Sequence, residues 1–136
     1  MRDRLVVYAD GGARGNPGPA AVGAVVLDPA ADPPERLATI SERIGVATNN
    51  VAEWKAIIAA LEVARAFGAR AVEIRADSQL VVRQLEGRYR VKQAHLKPLF
   101  ERARELLADY EDVSLVHVPR DDNIVADALV NAALDA

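Results

Sequence analysis

The sequence has 136 residues, 51% of them hydrophobic, which predicts one domain (residues 1–136) with its own core. It contains no cysteine, which excludes disulfides and thiolate metal sites, and its formal net charge of −3 argues against binding nucleic acid through overall positive charge. It shows neither a signal peptide nor an apolar run that could span a bilayer, so we expect a cytoplasmic protein that does not bind membranes.

The first part of the chain predicts two short strands joined by a glycine-rich loop. The run LVVYAD predicts a strand that ends at Asp10, and AVGAVVL predicts a second strand over residues 21–27. The loop matches neither a dinucleotide-binding fingerprint nor a P-loop, and no helix follows it to bind phosphate. Two interpretations of Asp10-Gly11-Gly12 remain: a hairpin turn, or a functional carboxylate at the end of a strand.

The next segments predict a meander followed by a long helix. Three prolines mark residues 28–36 as a surface turn, and residues 37–46 alternate in polarity as an antiparallel strand does. The apolar side chains between Trp54 and Phe67 then recur at helical spacing, which predicts a helix that ends at Gly68.

The second half of the chain alternates strands and helices. Asp122 or Asn123 is expected to cap the last helix. The element order βββαβααβα predicts an α/β fold in which helices pack on a mixed sheet. The predicted strands cover residues 71–77 and 112–118, and the predicted helices cover residues 78–87, 96–110 and 121–136.

Four acidic residues in these elements have competing structural and functional explanations. Asp10 ends a predicted strand, and Asp77 ends another, where it could cap the helix that follows. Glu53 could form a capping box with Asn50, although it lies on or beside the buried stripe of its helix. Asp127 could complement the dipole of the last helix.

Taken together, the four acids favour a functional site. Two are predicted at the carboxyl ends of strands and two in first turns of helices that can abut those ends, as in the sites of open sheets. Converging carboxylates repel one another and raise one another's pKa values unless divalent cations neutralise them. Oxygen ligands suit Mg²⁺ or Mn²⁺, so the pattern predicts a two-metal phosphoryl-transfer site in outline.

Four motifs of the chain, in their order and spacing, resemble those of type 1 ribonuclease H, and the resemblance covers nearly the whole chain. The motifs are DGGARGNPGPAAVG, TNNVAEWKAIIAAL, ADSQLVVRQLEG and NIVADALVNAAL. The resemblance implies the ribonuclease H-like fold: a five-stranded mixed sheet, with three antiparallel strands followed by two parallel ones, flanked by helices. It implies an endonuclease that cuts the RNA strand of RNA–DNA hybrids and leaves 5′-phosphate ends. It also implies two Mg²⁺ or Mn²⁺ ions held by Asp10, Glu53, Asp77 and Asp127.

The resemblance further implies which residues contact the substrate. Asn16 and Thr48 match positions that hold a phosphate of the DNA strand, and Asn50 and Gln79 match positions near the RNA minor groove. The full set of expected substrate-binding residues is Gly11, Gly12, Arg14, Asn16, Thr48, Asn49, Asn50 and Gln79.

The sequence departs from the better known bacterial members in two places. Only GRYRVKQAHLKPL stands where they carry a basic, tryptophan-bearing helix as a substrate handle, so the chain resembles the archaeal and actinobacterial-like subgroup without it. Where the family often has a loop histidine, Arg120 takes the position and joins the expected catalytic residues, while His117 falls on a predicted strand.

Two alternatives to a ribonuclease H remain open. One is a module that binds duplex nucleic acid without cutting it, which would have no need of four mutually repelling carboxylates. The other is a different nuclease of the same superfamily, against which TNNVAE and DSQ favour ribonuclease H. We expect a monomer that binds RNA–DNA hybrid, and the sequence leaves open whether double-stranded RNA is a second substrate.

Overall fold

The computed structural model describes residues 2–136 as a five-stranded sheet with helices on both faces, in the predicted element order. The strands are β1 (Arg4–Ala13), β2 (Gly18–Asp28), β3 (Glu35–Ala47), β4 (Ala71–Ala76) and β5 (Asp112–His117). The helices are α1 (Asn49–Ala64), α2 (Gln79–Leu85), α3 (Lys97–Leu107) and α4 (Ile124–Asp135), with 3-10 turns at Arg65–Phe67, Ala94–Leu96 and Arg120–Asp122. No helix of residues 2–136 has both the length and the hydropathy needed to cross a membrane.

The strand order is β3-β2-β1-β4-β5, with β1 at the centre of the sheet. Strands β1, β2 and β3 form an antiparallel meander, whereas β4 runs parallel to β1 and β5 runs parallel to β4. This confirms the expected mixed sheet. The carboxyl ends of β1, β4 and β5 therefore lie at one edge, where open sheets place their sites.

The two faces of the sheet are covered by different helices. Alternate residues of β1, such as Leu5 and Val7, are fully buried with Trp54 of α1 in the main core. The ring of Trp54 packs edge-to-face on Phe100 of α3, with ring centroids 5.9 Å apart. On the opposite face, Val130 of α4 packs in a smaller buried cluster against β2.

Strand β1 is longer than predicted at its C-terminal end. It pairs with β2 through Ala13, so the hairpin turn lies at residues 14–17 and not at Asp10-Gly11-Gly12. The hairpin interpretation of that motif is wrong, and Asp10 lies inside the strand rather than at its end. The glycines remain extended because β2 supplies their hydrogen-bond partners, which the local sequence does not reveal.

The start of α1 also differs from the prediction. Thr48 is the cap, and its hydroxyl oxygen accepts a hydrogen bond from the Val51 amide at 3.2 Å. The predicted capping box between Asn50 and Glu53 is therefore wrong, and Glu53 lies beyond the first turn. The helix becomes a 3-10 turn after Ala64 and ends at Gly68 as predicted, with φ at +63°.

The starts of α2 and α4 differ in part from the sequence prediction. Ser78 caps α2, and its hydroxyl accepts from the Val81 amide at 3.3 Å, so Asp77 is free of a capping role. Asn123 occupies the capping position of α4, but its side chain makes no capping hydrogen bond there.

Candidate active site

Four carboxylates from four different elements line one open cleft of about 480 Å³. Asp10 comes from the middle strand β1, and Asp77 directly follows the parallel neighbour β4. Glu53 comes from α1 on one face of the sheet, and Asp127 comes from the first turn of α4 on the other. The structure therefore brings together the four acids that the sequence singled out.

Two glycines allow the helices to approach the strands beside Asp10. A Cβ atom on Gly11 would lie 2.1 Å from the carbonyl oxygen of Ala52, the residue before Glu53. A Cβ on Gly23, which pairs with Asp10 in the sheet, would lie 2.3 Å from the carbonyl oxygen of Ala126, the residue before Asp127. Both helices thus touch the sheet backbone at the residue that precedes their acid.

The proximity of the acids changes their proton affinity. The pKa of Asp10 is raised to about 8. Burial is the largest cause, the negative charge of Asp77 is the next, and a hydrogen bond with Asp127 and repulsion from it follow. Burial, with a smaller contribution from the charge of Asp77, raises the pKa of Glu53 to about 7. A hydrogen bond with Ser78 acts in the opposite direction and lowers this pKa. Close to neutral pH, at least one carboxyl of the group is therefore held as the neutral acid.

The composition of the cleft fits a divalent cation. Its acidic donors are oxygen atoms only, which hard cations such as Mg²⁺ and Mn²⁺ prefer. A bound cation would offset the burial and the repulsion that raise these pKa values. Within residues 2–136, no three acidic or histidine side chains are already gathered closely enough to hold one ion. The fit therefore rests on the chemistry of the donors and on their shared cleft.

Asparagine side chains connect the hairpin loop to the start of α1 at one end of the cleft. The Asn49 side-chain oxygen accepts from the Ala13 amide at 2.8 Å, and the Asn16 side-chain oxygen accepts from the Asn49 amide at 3.0 Å. Arg14, which also lines the cleft, pairs with Asp135 near the end of α4 at 2.6 Å.

Of the other expected substrate residues, two line the cleft and three do not. Thr48 uses its hydroxyl to cap α1, and Gln79 is exposed at the first position of α2. Gly11 and Gly12 both line the cleft; Gly11 is buried against α1, whereas Gly12 is partly exposed. Asn50 does not line the cleft that holds the acids; it lines a neighbouring cavity of about 520 Å³. We call that cavity the basic groove; it is lined by Asn50, Leu80, Gln84, Arg88, Tyr89, Arg90, Lys92, Gln93 and Leu96.

The sequence and the fold are similar to those of known proteins. Residues 8–133 match the family model described as reverse transcriptase-like. The chain is 49% identical to Ribonuclease HI of Halobacterium salinarum over 97% of its own length, and 45% identical to a bifunctional protein of Mycobacterium tuberculosis over 98%. It spans 65% of the first protein and 36% of the second.

Solved structures of these relatives superpose closely. The N-terminal ribonuclease H domain of the Mycobacterium tuberculosis protein gives a TM-score of 0.92 and covers 97% of this chain and 99% of that chain. The ribonuclease H1 of Halobacterium salinarum gives 0.90 at 49% identity, covering 97% and 98%. The chain belongs to the ribonuclease H family. A further member, LC11-RNase H1 in complex with RNA/DNA hybrid, is 43% identical with a TM-score of 0.89, covering 96% of each chain.

Within this ribonuclease H fold, the structure places Arg120 beside the cleft. Its guanidinium Nη2 lies 3.9 Å from Asp127 Oδ1, and 83% of its side chain is exposed. His117 is the last residue of β5, is exposed, and is not among the residues that line the cleft. These positions agree with the expected exchange of a loop histidine for an arginine; the role of Arg120 remains a prediction.

Sequence reasoning missed two polar contacts of the candidate site. Asn123 donates to Asp77, and Asn131 approaches Asp127 with 3.5 Å between nitrogen and oxygen. The local sequence explains Asn123 only as a candidate helix cap. Its contact with Asp77, which lies 46 residues away in the chain, is visible only in the structure.

Proposed function

We propose that the chain is a divalent-cation-dependent endonuclease that hydrolyses the RNA strand of RNA–DNA hybrids and leaves 5′-phosphate ends. One observation carries this proposal: the side chains of Asp10, Glu53, Asp77 and Asp127 share a cleft in which burial and mutual repulsion hold carboxyl groups neutral. The family membership and the hybrid-bound relative support the choice of substrate.

In this proposal, two Mg²⁺ or Mn²⁺ ions bind to the four acids. Bound cations there would polarise the scissile phosphate and lower the pKa of a water nucleophile. Asp10 and Glu53 would release their protons on loading, because a nearby cation favours the charged carboxylate. Arg120 would attract the phosphate, since it places a positively charged hydrogen-bond donor beside the cleft and would not act as a general acid or base.

A comparison of substrates tests the function directly. Labelled RNA–DNA hybrid, RNA duplex and DNA duplex of one sequence are incubated with the protein in Mg²⁺, in Mn²⁺ and in EDTA. We expect cleavage of the RNA strand of the hybrid in either cation and none in EDTA. Binding of the hybrid without cleavage would instead support a non-cutting duplex-binding module, and cleavage of the DNA duplex would support another nuclease of the superfamily.

The contribution of Arg120 gives a second test. Arg120→Ala should raise KM or slow turnover, and Arg120→Lys should restore part of the loss because it returns the positive charge. His117→Ala should leave the pH–rate profile unchanged, because His117 lies outside the cleft. The measurement is cleavage of a short hybrid from acid to alkaline pH. A loss on His117→Ala as large as that of an acid mutant would assign the histidine role to His117.

We also propose that the basic groove holds the part of the duplex that extends beyond the cleft. Arg88, Arg90 and Lys92 supply three positive charges there, and the exposed ring of Tyr89 lies among them. In a chain with net charge −3, such a local cluster can provide the electrostatic part of binding. The groove borders the cleft through the first turn of α1, where Asn50 and Asn49 face one cavity each.

Removing one of these charges should weaken binding in a salt-dependent way. For Arg88→Ala or Lys92→Ala, we expect a higher KM for the hybrid and an unchanged kcat. The slope of the logarithm of the binding constant against the logarithm of the salt concentration should be smaller in magnitude by about one. Arg65→Ala is the matched control, because it removes one exposed charge at the C-terminal end of α1, a helix of 16 residues and about 24 Å whose other end carries Asn50. Equal salt slopes for the three variants would refute a role of the groove in binding.

A further inference from the structure

A buried asparagine connects the segments that carry three of the four acids. Asn123 is 1% exposed, and its side-chain nitrogen Nδ2 donates to the Ala9 carbonyl oxygen at 3.0 Å and to Asp77 Oδ2 at 3.1 Å. Its backbone carbonyl accepts from the Asp127 amide at 3.1 Å. Ala9 precedes Asp10, so Asn123 contacts three segments: β1 next to Asp10, the end of β4 at Asp77, and the start of α4 at Asp127.

The position of Asn123 follows from where two strands separate. The parallel pairing of β1 with β4 ends at the pair Ala9 and Ala76. Beyond it, the Ala9 carbonyl requires another donor, because a buried backbone oxygen without a partner is costly. The side chain of Asn123 provides that donor and uses its second N–H on Asp77, at the point where the chain leaves β4.

The two partners fix the orientation of the amide. Both are acceptors, a carbonyl and a carboxylate, so only the nitrogen of Asn123 can face them. A hydrogen bond from a neutral donor to a charged acceptor is stronger than one between neutral groups. The bond therefore holds the Asp77 carboxylate in one orientation relative to β1.

We propose that Asn123 is a positioning residue for the acid cluster: its side-chain amide sets the distance and orientation of the Asp77 carboxylate relative to Asp10, so that the two can bind cations together. This inference rests on the proposed function for its activity readout. It differs from a capping role, which would act on α4 alone and would leave cation affinity unchanged.

Variants separate positioning from helix anchoring. Asn123→Ala removes both N–H donors, and Asn123→Ser returns one donor on a shorter side chain. Ser41→Ala is the control, because it removes a hydrogen bond that anchors α4 without contacting an acid. That bond runs from Ser41 Oγ to the Leu129 carbonyl at 2.6 Å. For each variant we would measure kcat and KM for hybrid cleavage, and the Mg²⁺ concentration that gives half of the cation-induced rise in Tm.

Asn123→Ala should lower kcat by about ten- to a hundredfold, as expected for one hydrogen bond to a charged group, with KM for the hybrid little changed. Its Mg²⁺ midpoint should rise, and Asn123→Ser should recover part of both losses. Ser41→Ala should lower Tm while kcat and the Mg²⁺ midpoint stay at wild-type values. The proposal is overturned if Asn123→Ala behaves like Ser41→Ala.

A measurement on the wild-type protein gives an answer even where a variant does not fold. In asparagine-labelled protein, the side-chain NH₂ signals of Asn123 should be protected from exchange and should shift as Mg²⁺ is added, because their acceptor Asp77 gains a cation. Signals that stay unchanged through the Mg²⁺ titration would overturn the proposal. If the wild-type protein bound Mg²⁺ with this shift but cut no hybrid, the positioning inference would stand and the proposed function would fail.

Discussion

Asp10→Asn should eliminate nearly all hybrid cleavage and at the same time make the metal-free protein more stable at alkaline pH. Mutating a residue that only hydrogen-bonds a metal ligand typically lowers activity by roughly 10- to 100-fold. The loss of activity in Asp10→Asn should be larger, because Asp10 lies between the other acids as a direct cation ligand in the proposed site. The gain in stability has a separate cause, which is the pKa of the Asp10 carboxyl.

The sign of the stability change follows from the raised pKa. The pKa of Asp10 is about 8 in the folded protein, against an ordinary value of 3.8 for aspartate, so between these values the folded state binds more protons than the unfolded state. The free energy of unfolding therefore falls as pH rises through this window, by at most about 1.4 kcal/mol per pH unit. Glu53, with a pKa of about 7 against 4.5, adds a decrease in the same direction.

An asparagine at position 10 has no proton to lose, so this variant avoids the decrease due to Asp10. In EDTA, its Tm should exceed that of the wild type at pH 8 and approach it near pH 4, where the wild-type carboxyl is protonated. Asp32→Asn, on the exposed proline-rich turn, is the charge-matched control. Thermal unfolding from pH 4 to 9 measures the difference; equal wild-type and Asp10→Asn profiles, or near wild-type cleavage in Mg²⁺, would contradict the assignment.

The sequence was sufficient for the parts of the site that depend on local patterns. Helical spacing placed Glu53 beside the buried stripe, and the strand before Asp77 was evident from its apolar run. Their convergence could be inferred because parallel strands share an edge and the first turns of helices can abut that edge. The family resemblance supplied what spacing could not, namely the proposed substrate and the candidate residues in the hairpin loop.

The remaining errors arose where a distant partner decides a local conformation, or where neighbouring polar residues compete for one role. Asp10-Gly11-Gly12 was compatible with a turn, and only pairing with β2 keeps it extended. Thr48 and Ser78 cap their helices where Asn50 and Asp77 were equally plausible caps by residue type. The role of Asn123 was missed because Asp77, its partner, is 46 residues away in sequence.

Gly11 gives the largest expected effect on stability. Gly11→Ala would place a Cβ atom 2.1 Å from the Ala52 carbonyl oxygen and 2.5 Å from the Glu53 nitrogen, both backbone atoms of α1. Since rigid backbone lies on both sides of the contact, α1 must move away from β1. We expect a loss of about 3 kcal/mol or more in the free energy of unfolding, at the upper end of overpacking effects, because a whole buried helix is displaced. Hybrid cleavage should fall as well, because Glu53 moves with the helix.

The adjacent glycine provides the matched control. A Cβ on Gly12 would lie 3.6 Å from Val130 Cγ1, which is an ordinary contact, and the residue lies in the same extended strand. Gly12→Ala should therefore be neutral or stabilise the fold by about 0.4–1 kcal/mol, because alanine restricts the unfolded chain. Urea unfolding of the two variants measures the difference. Equal stabilities would show that α1 does not lie against β1 at Gly11, and the proposed position of Glu53 beside Asp10 would then be wrong.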